Sequence, residues 1–115
     1  MAAKGCIFCG MSEGKIDTDI LYRDEHVFVV RDINPRAPTH LLIIPHRHMA
    51  SLAYASGTTA ETLGQMFVVA EEMARREGVT VGGYRLVVNQ GSNSGQAIEH
   101  LHMHLLGGKR LGGMA

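Results

Sequence analysis

Three histidines alternate with apolar residues near the end of the chain, in the run His100-Leu101-His102-Met103-His104. Successive side chains of a β-strand point to opposite faces, so this spacing predicts one strand with all three imidazoles on the same face. Leu101 and Met103 would then face an apolar core on the other side. A row of imidazoles suits metal ligation, or a histidine nucleophile with flanking donors for an anionic substrate. A half-exposed strand that merely carries histidines is the alternative that the spacing alone leaves open.

The remaining pattern predicts an α+β fold with an antiparallel sheet. Segments rich in strand-forming residues lie at 20–24, 27–33, 40–45, 84–90 and 98–106. A helix is predicted over 59–77, with Thr58 and Glu61 as a capping box and Gly78 just beyond its end. Five apolar positions of this helix form one stripe, which we assign to the core: Leu63, Met66, Phe67, Ala70 and Ala74. We expect a single domain over residues 1–115.

The composition limits the kinds of partner that we expect for this protein and its expected location in the cell. Eleven Lys and Arg side chains balance eleven Asp and Glu, without a run of like charge. This balance argues against DNA or RNA as the main partner. The longest apolar stretches are too short to span a bilayer, and residues 1–6 lack the apolar region of a signal peptide. We therefore expect a cytoplasmic protein without membrane contact.

Cys6 and Cys9 are the only cysteines and have C-x-x-C spacing. Two thiolates at this spacing supply half of a tetrahedral zinc site, which needs two further ligands. The candidates for those ligands are His46, His48 and His100. Two buried free cysteines are the alternative, since cysteine is among the most buried residue types. A redox role is disfavoured because the pair does not lie between a strand and a helix of a βαβ unit.

A glycine- and serine-rich loop, Gly91–Gln96, leads directly into the histidine segment. Glycines let backbone N–H groups approach an anion closely, so the loop and the imidazoles together predict a phosphate site. A plain connection between two strands is the alternative for the loop taken alone. Asp32, at the end of a predicted strand, could bind a diol such as ribose or simply be solvated. His40 begins the next strand and could likewise be an ordinary polar strand end.

The histidine run closely resembles the histidine triad motif of the HIT family of nucleotide hydrolases and transferases. The likeness covers nearly the whole chain and rests on Ile7-Phe8, Arg31-Asp32-Ile33-Asn34-Pro35, Ala37-Pro38-Thr39-His40, Ile43-Ile44-Pro45, Gly83-Tyr84-Arg85, Val88-Asn89 and Gly95-Gln96. After the triad, Gly107-Gly108-Lys109 resembles the Hint branch rather than the branch that hydrolyses dinucleoside polyphosphates.

This resemblance implies a HIT-like five-stranded antiparallel sheet with one main helix, extended across a homodimer, and one nucleotide site per subunit. It implies that His102 is the nucleophile at the α-phosphorus and that His104 and His40 bind the phosphate oxygens. The nucleotide-binding residues implied in the same way are Phe8, Asp32, Ile33, Asn89, Gly95, Gln96 and Ala97. Bacterial zinc-carrying members further imply a structural zinc ion held by Cys6, Cys9, His48 and His100.

The activity implied by the Hint branch is hydrolysis of purine nucleoside 5′-phosphoramidates or aminoacyl-adenylates, through a covalent nucleotidyl-histidine that releases AMP or GMP. No organic cofactor is expected. Hydrolysis of dinucleoside polyphosphates, nucleotidyl transfer and non-catalytic nucleotide binding are the alternatives, as is a zinc scaffold that uses all three histidines. Ala97 stands where eukaryotic Hint proteins usually have serine, so hydroxyl assistance to the leaving group is absent at this position.

Overall fold

A computed structural model describes residues 5–114 and consists of one antiparallel sheet with a long helix on one face. The limits predicted for the domain, residues 1 and 115, lie outside the described residues, as does most of the N-terminal stretch used to argue against a signal peptide. The helices are α1 (Ile7–Ser12) and α2 (Ala60–Glu77), and the strands are β1 (Tyr22–Arg23), β2 (Val27–Arg31), β3 (Thr39–Pro45), β4 (Tyr84–Val87) and β5 (Met103–Gly107). The strand order is β1-β2-β3-β5-β4, and all neighbours are antiparallel. The predicted α+β fold is confirmed.

Side-chain alternation in the central strands gives the sheet two unlike faces. On one face, Leu41 lies opposite Leu105 and Ile43 opposite Met103, and all four are buried. This face packs against α2 through Met66, Val69, Ala70, Met73 and Ala74. The other face carries a smaller apolar cluster of Phe8, Phe28, Val30, Leu42 and Ile44.

The second face also holds two of the predicted site histidines. His104 lies directly opposite Leu42, and His40 lies opposite Leu106. Residues directly opposite in an antiparallel pair share a face, so both imidazoles project away from α2. The fold therefore keeps the large apolar core and the polar chemistry on opposite sides of the same strands.

The predicted fifth strand is wrong in its first half. β5 begins at Met103, so His104 lies on the strand while His100 and His102 precede it. The backbone N–H of Leu101 donates to the carbonyl of Met49 at 2.7 Å, which ties this segment to the loop after β3. The ring of His100 donates through Nε2 to the carbonyl of Pro45, the last residue of β3, at 2.8 Å. These two hydrogen bonds hold the segment in place where the prediction had regular pairing between strands.

Helix α2 agrees with its predicted limits but not with its predicted start signal. Its N-cap is Thr59, which makes no side-chain capping hydrogen bond, so the capping box from Thr58 to Glu61 is wrong. The Thr59 hydroxyl instead donates to the Ser56 carbonyl and accepts from the Ser56 N–H, closing the preceding turn. At the other end, Gly78 adopts φ 72° and ends the helix as predicted.

The remaining differences are local. Phe67 is 58% exposed, so its assignment to the core is wrong; the face of α2 toward the sheet is centred on Met66, Ala70 and Met73. The predicted strands over 20–24, 27–33 and 84–90 are longer than those observed, whereas β3 begins one residue before its predicted start, and α1 lies in a stretch for which no helix was predicted. Among residues 5–114, no helix is long and apolar enough to cross a bilayer.

Candidate active site and metal centre

His102 is held in a single tautomer by the residue that begins the triad. Its Nδ1 lies 2.7 Å from the backbone carbonyl of His100. A carbonyl only accepts, so Nδ1 carries the proton and donates, and the neutral ring keeps its lone pair on Nε2. The residue is 8% exposed, with its ring 5.1 Å from that of His104. An oriented, unprotonated imidazole nitrogen is the form that a histidine nucleophile requires.

His40 and His104 form a second ordered pair beside this ring. The Arg36 backbone N–H donates to His40 Nδ1 at 3.1 Å, which leaves the His40 proton on Nε2. That N–H donates to His104 Nδ1 at 2.9 Å, so the proton of neutral His104 sits on Nε2. Asp32 Oδ2 lies 3.4 Å from the same His40 Nε2. The chain of donors therefore fixes both tautomers and makes His104 a hydrogen-bond donor.

Burial keeps both members of this pair neutral. It lowers the pKa of His104 to about 4, and the nearby imidazoles of His102 and His40 act in the same direction. Burial also lowers the pKa of His40, although the Asp32 carboxylate opposes the shift. A neutral pair near neutral pH preserves the direction of the hydrogen bonds described above.

Apart from Phe8, which is on α1, the predicted nucleotide-binding residues lie in the connection from β2 to β3 and in the connection from β4 to β5. Asp32 and Ile33 follow β2, Asn89 follows β4, and Ile33 is 89% exposed. Gly95, Gln96 and Ala97 follow the 3₁₀ turn Ser92–Ser94. Gln96 uses its side chain within the loops, donating to the carbonyls of Ala50 and Ile98 and accepting from the Gly91 N–H.

Phe8 occupies a position that the sequence did not indicate. It is 2% exposed, and its ring meets the rings of His102 and His100 edge-on, with centroids at 5.1 and 5.6 Å. The purine contact expected for this residue stays a prediction, since no nucleotide is present. The contact with His102 could not be inferred from spacing, because the two residues are distant in sequence.

The two cysteines and two histidines form a separate cluster. Cys6, Cys9, His48 and His100 place one potential ligand atom each within 4.8 Å of the others. Nδ1 of His100 lies 3.3 Å from Cys6 Sγ, 3.6 Å from Cys9 Sγ and 3.2 Å from His48 Nδ1. His48 Nδ1 is also 3.4 Å from Cys9 Sγ. His46 is excluded from the cluster because its ring bonds to the Ser12 hydroxyl and the Asp24 carbonyl.

These distances fit a tetrahedral zinc site. Bonds of about 2.0 Å to nitrogen and about 2.3 Å to sulfur place neighbouring ligand atoms about 3.3–3.8 Å apart. His100 directs its Nε2 proton to Pro45, so the nitrogen facing the thiols is the one with a lone pair. Burial lowers the pKa of His100 to about 4, which also favours the neutral, ligating form.

A family model described as the HIT domain matches residues 13–111 of the chain. The chain belongs to the HIT family. Its similarity to the HIT family hydrolase from Legionella pneumophila Philadelphia 1 covers 92% of this chain and 95% of that one, with a TM-score of 0.89 and 40% identity. The predicted HIT-like sheet and the predicted family are thereby confirmed.

Two relatives of known description are similar over most of their length. The chain is 43% identical to the purine nucleoside phosphoramidase of Escherichia coli (strain K12) over 112 residues, which is 97% of this chain and 94% of the relative. It is 42% identical to a 14 kDa zinc-binding protein of Zea mays over 107 residues, which is 91% of this chain and 83% of the relative. The protein is a HIT-family hydrolase.

Proposed function

We propose that this HIT-family hydrolase cleaves purine nucleoside 5′-phosphoramidates, and also aminoacyl-adenylates, which are mixed anhydrides, and releases AMP or GMP. The observation that carries the proposal is the fixed tautomer of His102, which leaves its lone pair on Nε2, together with the 5.1 Å distance between its ring and that of His104 in the ordered His40–His104 pair. The relative named as a purine nucleoside phosphoramidase supports the choice of substrate.

In the proposed first step, His102 Nε2 attacks the α-phosphorus of the substrate. For a phosphoramidate, the bond from Nε2 to phosphorus forms as the P–N bond to the leaving amine breaks, and the amine takes a proton from solvent. For an aminoacyl-adenylate, the P–O bond to the leaving carboxylate breaks instead. His104 donates a hydrogen bond from Nε2 to a phosphate oxygen. The resemblance implied the same role for His40, but both of its ring nitrogens are already hydrogen-bonded, so we assign His40 to holding His104 in the required tautomer. Donors that are oriented before the reaction stabilise the charge on these oxygens without reorganising.

In the second step, water attacks the phosphorus of the nucleotidyl-histidine. The bond between phosphorus and Nε2 breaks, the attacking water loses its protons to solvent, and the nucleoside monophosphate leaves. The imidazole, which keeps its Nδ1 proton throughout, returns to its starting tautomer. Two displacements replace one difficult displacement, which is the advantage of covalent catalysis. We assign Asp32 to the ribose hydroxyls and Ile33 to the purine. We assign the phosphate to Asn89 and to the segment formed by Gly95, Gln96 and Ala97.

The test uses adenosine 5′-phosphoramidate and follows AMP by chromatography. We expect His102→Ala to lower kcat by more than about a thousandfold, because the covalent step is lost. His26→Ala is a control, because His26 bonds to Thr62 and lies outside the site. Equal AMP release by wild type and His102→Ala would reject the proposed nucleophile. Faster turnover of diadenosine polyphosphates than of the phosphoramidate would reject the proposed substrate class.

We also propose that Cys6, Cys9, His48 and His100 hold one structural zinc ion per chain. Four protein ligands leave no position for substrate, so zinc here would stabilise the fold rather than take part in hydrolysis. Three segments meet at the cluster: α1, the loop after β3 and the segment before β5. The similarity to the zinc-binding protein of Zea mays supports this assignment.

We further propose a homodimer in which the sheet continues across the β4 edge. β4 has a sheet neighbour on one side only, and α2 exposes Phe67 and Val68 at 58% and 63%. The Tyr84 hydroxyl of β4 donates to Glu71 of α2, which keeps the helix beside that edge. We expect Phe67→Glu to give a monomer in analytical ultracentrifugation, while Tyr54→Glu, at an exposed site on another segment, leaves the dimer intact. A monomeric wild type would reject the dimer.

A further inference from the structure

In the sequence, Phe8 lies between the two cysteines of the proposed zinc site, on the short helix α1. Cys6 is the N-cap of this helix and Cys9 is in its first turn. The far end of α1 is held by Ser12, whose hydroxyl bonds to His46 Nδ1 at 2.7 Å and whose carbonyl accepts from Arg23. The backbone that carries Phe8 is therefore anchored on both sides of the ring.

The ring of Phe8 is the apolar neighbour of the nucleophile. Its centroid is 5.1 Å from that of His102 at an interplanar angle of 65°, a geometry that aromatic rings favour. The other ring that contacts His102 among the described residues is His104, also at 5.1 Å. His104 already accepts from His40, so its own orientation depends on the polar network.

The hydrogen bond to the His100 carbonyl fixes one end of the His102 imidazole. The ring can still rotate about its Cβ–Cγ bond when space is available, because terminal torsions to planar groups have broad energy wells. Rotation breaks the bond from Nδ1 and moves the Nε2 lone pair. Phe8 is 2% exposed and packs directly against the His102 ring, so this contact reduces the space for such rotation and the access of water to the imidazole.

We propose that Phe8 is a positioning residue that holds His102 in the orientation and tautomer needed for attack at phosphorus. The proposal rests on the function proposed above and adds a residue that acts through the nucleophile. It differs from the expected purine contact, because a purine contact acts on substrate binding and a positioning contact acts on turnover.

The experiment compares Phe8→Leu with Phe28→Leu. Phe28 is a matched control, since it lies in the same apolar cluster and is 0% exposed, but its ring stacks on His46. We expect Phe8→Leu to lower kcat about ten- to a hundredfold, because small misplacements of reacting groups are costly, with KM changed less than about threefold. Phe28→Leu should keep kcat within about threefold of wild type. Phe8→Met, which keeps the apolar volume without the ring, serves if Phe8→Leu does not fold.

A second measurement observes His102 directly in the metal-loaded protein without substrate. Nitrogen-15 NMR distinguishes imidazoles protonated at Nδ1 from those protonated at Nε2. We expect one tautomer in wild type and in Phe28→Leu, and a mixture in Phe8→Leu and Phe8→Met. Because this spectrum does not require turnover, it tests Phe8 even if the wild type releases no AMP, an outcome that would reject the proposed function alone.

Three results would overturn the proposal. One is an equal change of kcat in Phe8→Leu and Phe28→Leu, which would indicate a general effect on packing. Another is an unchanged His102 spectrum in the Phe8 variants. The third is a raised KM with kcat retained, which would assign Phe8 to the purine instead.

Discussion

His100 serves two sites through different atoms. Its ring turns Nδ1 toward the thiols and bonds through Nε2 to Pro45, while its backbone carbonyl accepts from His102. His100 is fully buried, and a buried polar group is stable only when its hydrogen bonds are satisfied, so both of these interactions are needed. The three histidines of the motif therefore differ in role: the first orients, the second is the proposed nucleophile, and the third donates.

The lowered pKa of His104 predicts a loss of stability in acid. Its pKa is about 4 in the folded state, against an ordinary value of 6.5. Between these values the unfolded chain binds more protons than the folded chain, so the free energy of unfolding falls as pH falls through this window. We expect this residue to account for about 1 kcal/mol of the loss between pH 7 and pH 5, after discounting for its partial exposure.

Urea denaturation of wild type and His104→Asn at both pH values measures this contribution. His104→Asn is expected to be less stable than wild type at pH 7 but to lose less stability on acidification. Identical losses in the two proteins would show that His104 is not protonated preferentially in the unfolded state.

Among the secondary-structure elements, those governed by local pattern could be predicted and those governed by tertiary contacts could not. The apolar run of β3 and the glycine after α2 act locally, and both elements were predicted nearly at their observed limits. The start of β5 could not be predicted, because it depends on the contact between His100 and Pro45. Phe67 was misassigned because it is one residue, or about 100° of helix, away from Met66.

In the candidate site too, some features could be predicted from the sequence and others depend on tertiary contacts. The family resemblance named the residues of both clusters, and the observed distances bring Cys6, Cys9, His48 and His100 together. Sequence spacing left His46 and His48 as alternatives, and the bonds of His46 to Ser12 and Asp24 decide between them. The backbone groups that set the histidine tautomers carry no sequence signal, because every residue other than proline has the same N–H and C=O.

Two glycines of α2 predict opposite effects of the same substitution. Gly78 ends the helix at φ 72°, where a Cβ is strained, so Gly78→Ala should lower the free energy of unfolding by about 1 kcal/mol. Gly64 lies inside the helix with open space around a Cβ, so Gly64→Ala should raise it by about 0.5–1 kcal/mol. Urea denaturation of both variants measures these changes, and destabilisation by Gly64→Ala would contradict the helical geometry at that position.

At the scale of the whole molecule, the larger apolar cluster and the candidate catalytic histidines lie on opposite faces of the sheet. The apolar face beneath α2 holds the larger cluster, while the opposite face depends on α1 and on the loops around the two sites. Few of those loops pair with neighbouring strands, so a zinc ion at the proposed site would have its greatest effect on them. Stability is then unevenly distributed, as expected when a functional region is attached to a rigid scaffold.

Removing metal should therefore loosen one side of the molecule. We expect the isolated protein to contain about one zinc per chain, and a chelator to lower Tm by at least about 5 °C. Hydrogen exchange should accelerate in residues 6–12, 46–51 and 98–102, while β2 and β3 keep their protection. Cys9→Ser should reproduce the pattern without a chelator. Protein isolated without zinc, or a uniform loss of protection, would contradict the proposed structural site.

The pairing of β3 with β5 makes this protein sensitive to changes of length inside those strands. His40 and Leu41 are neighbours in sequence but face opposite sides, as do His104 and Leu105. An insertion of a single residue in either strand would exchange its two sides, sending an imidazole beneath α2 and a leucine into the polar site. Loops outside the two candidate sites can therefore change in length, whereas β3 and β5 tolerate only substitution.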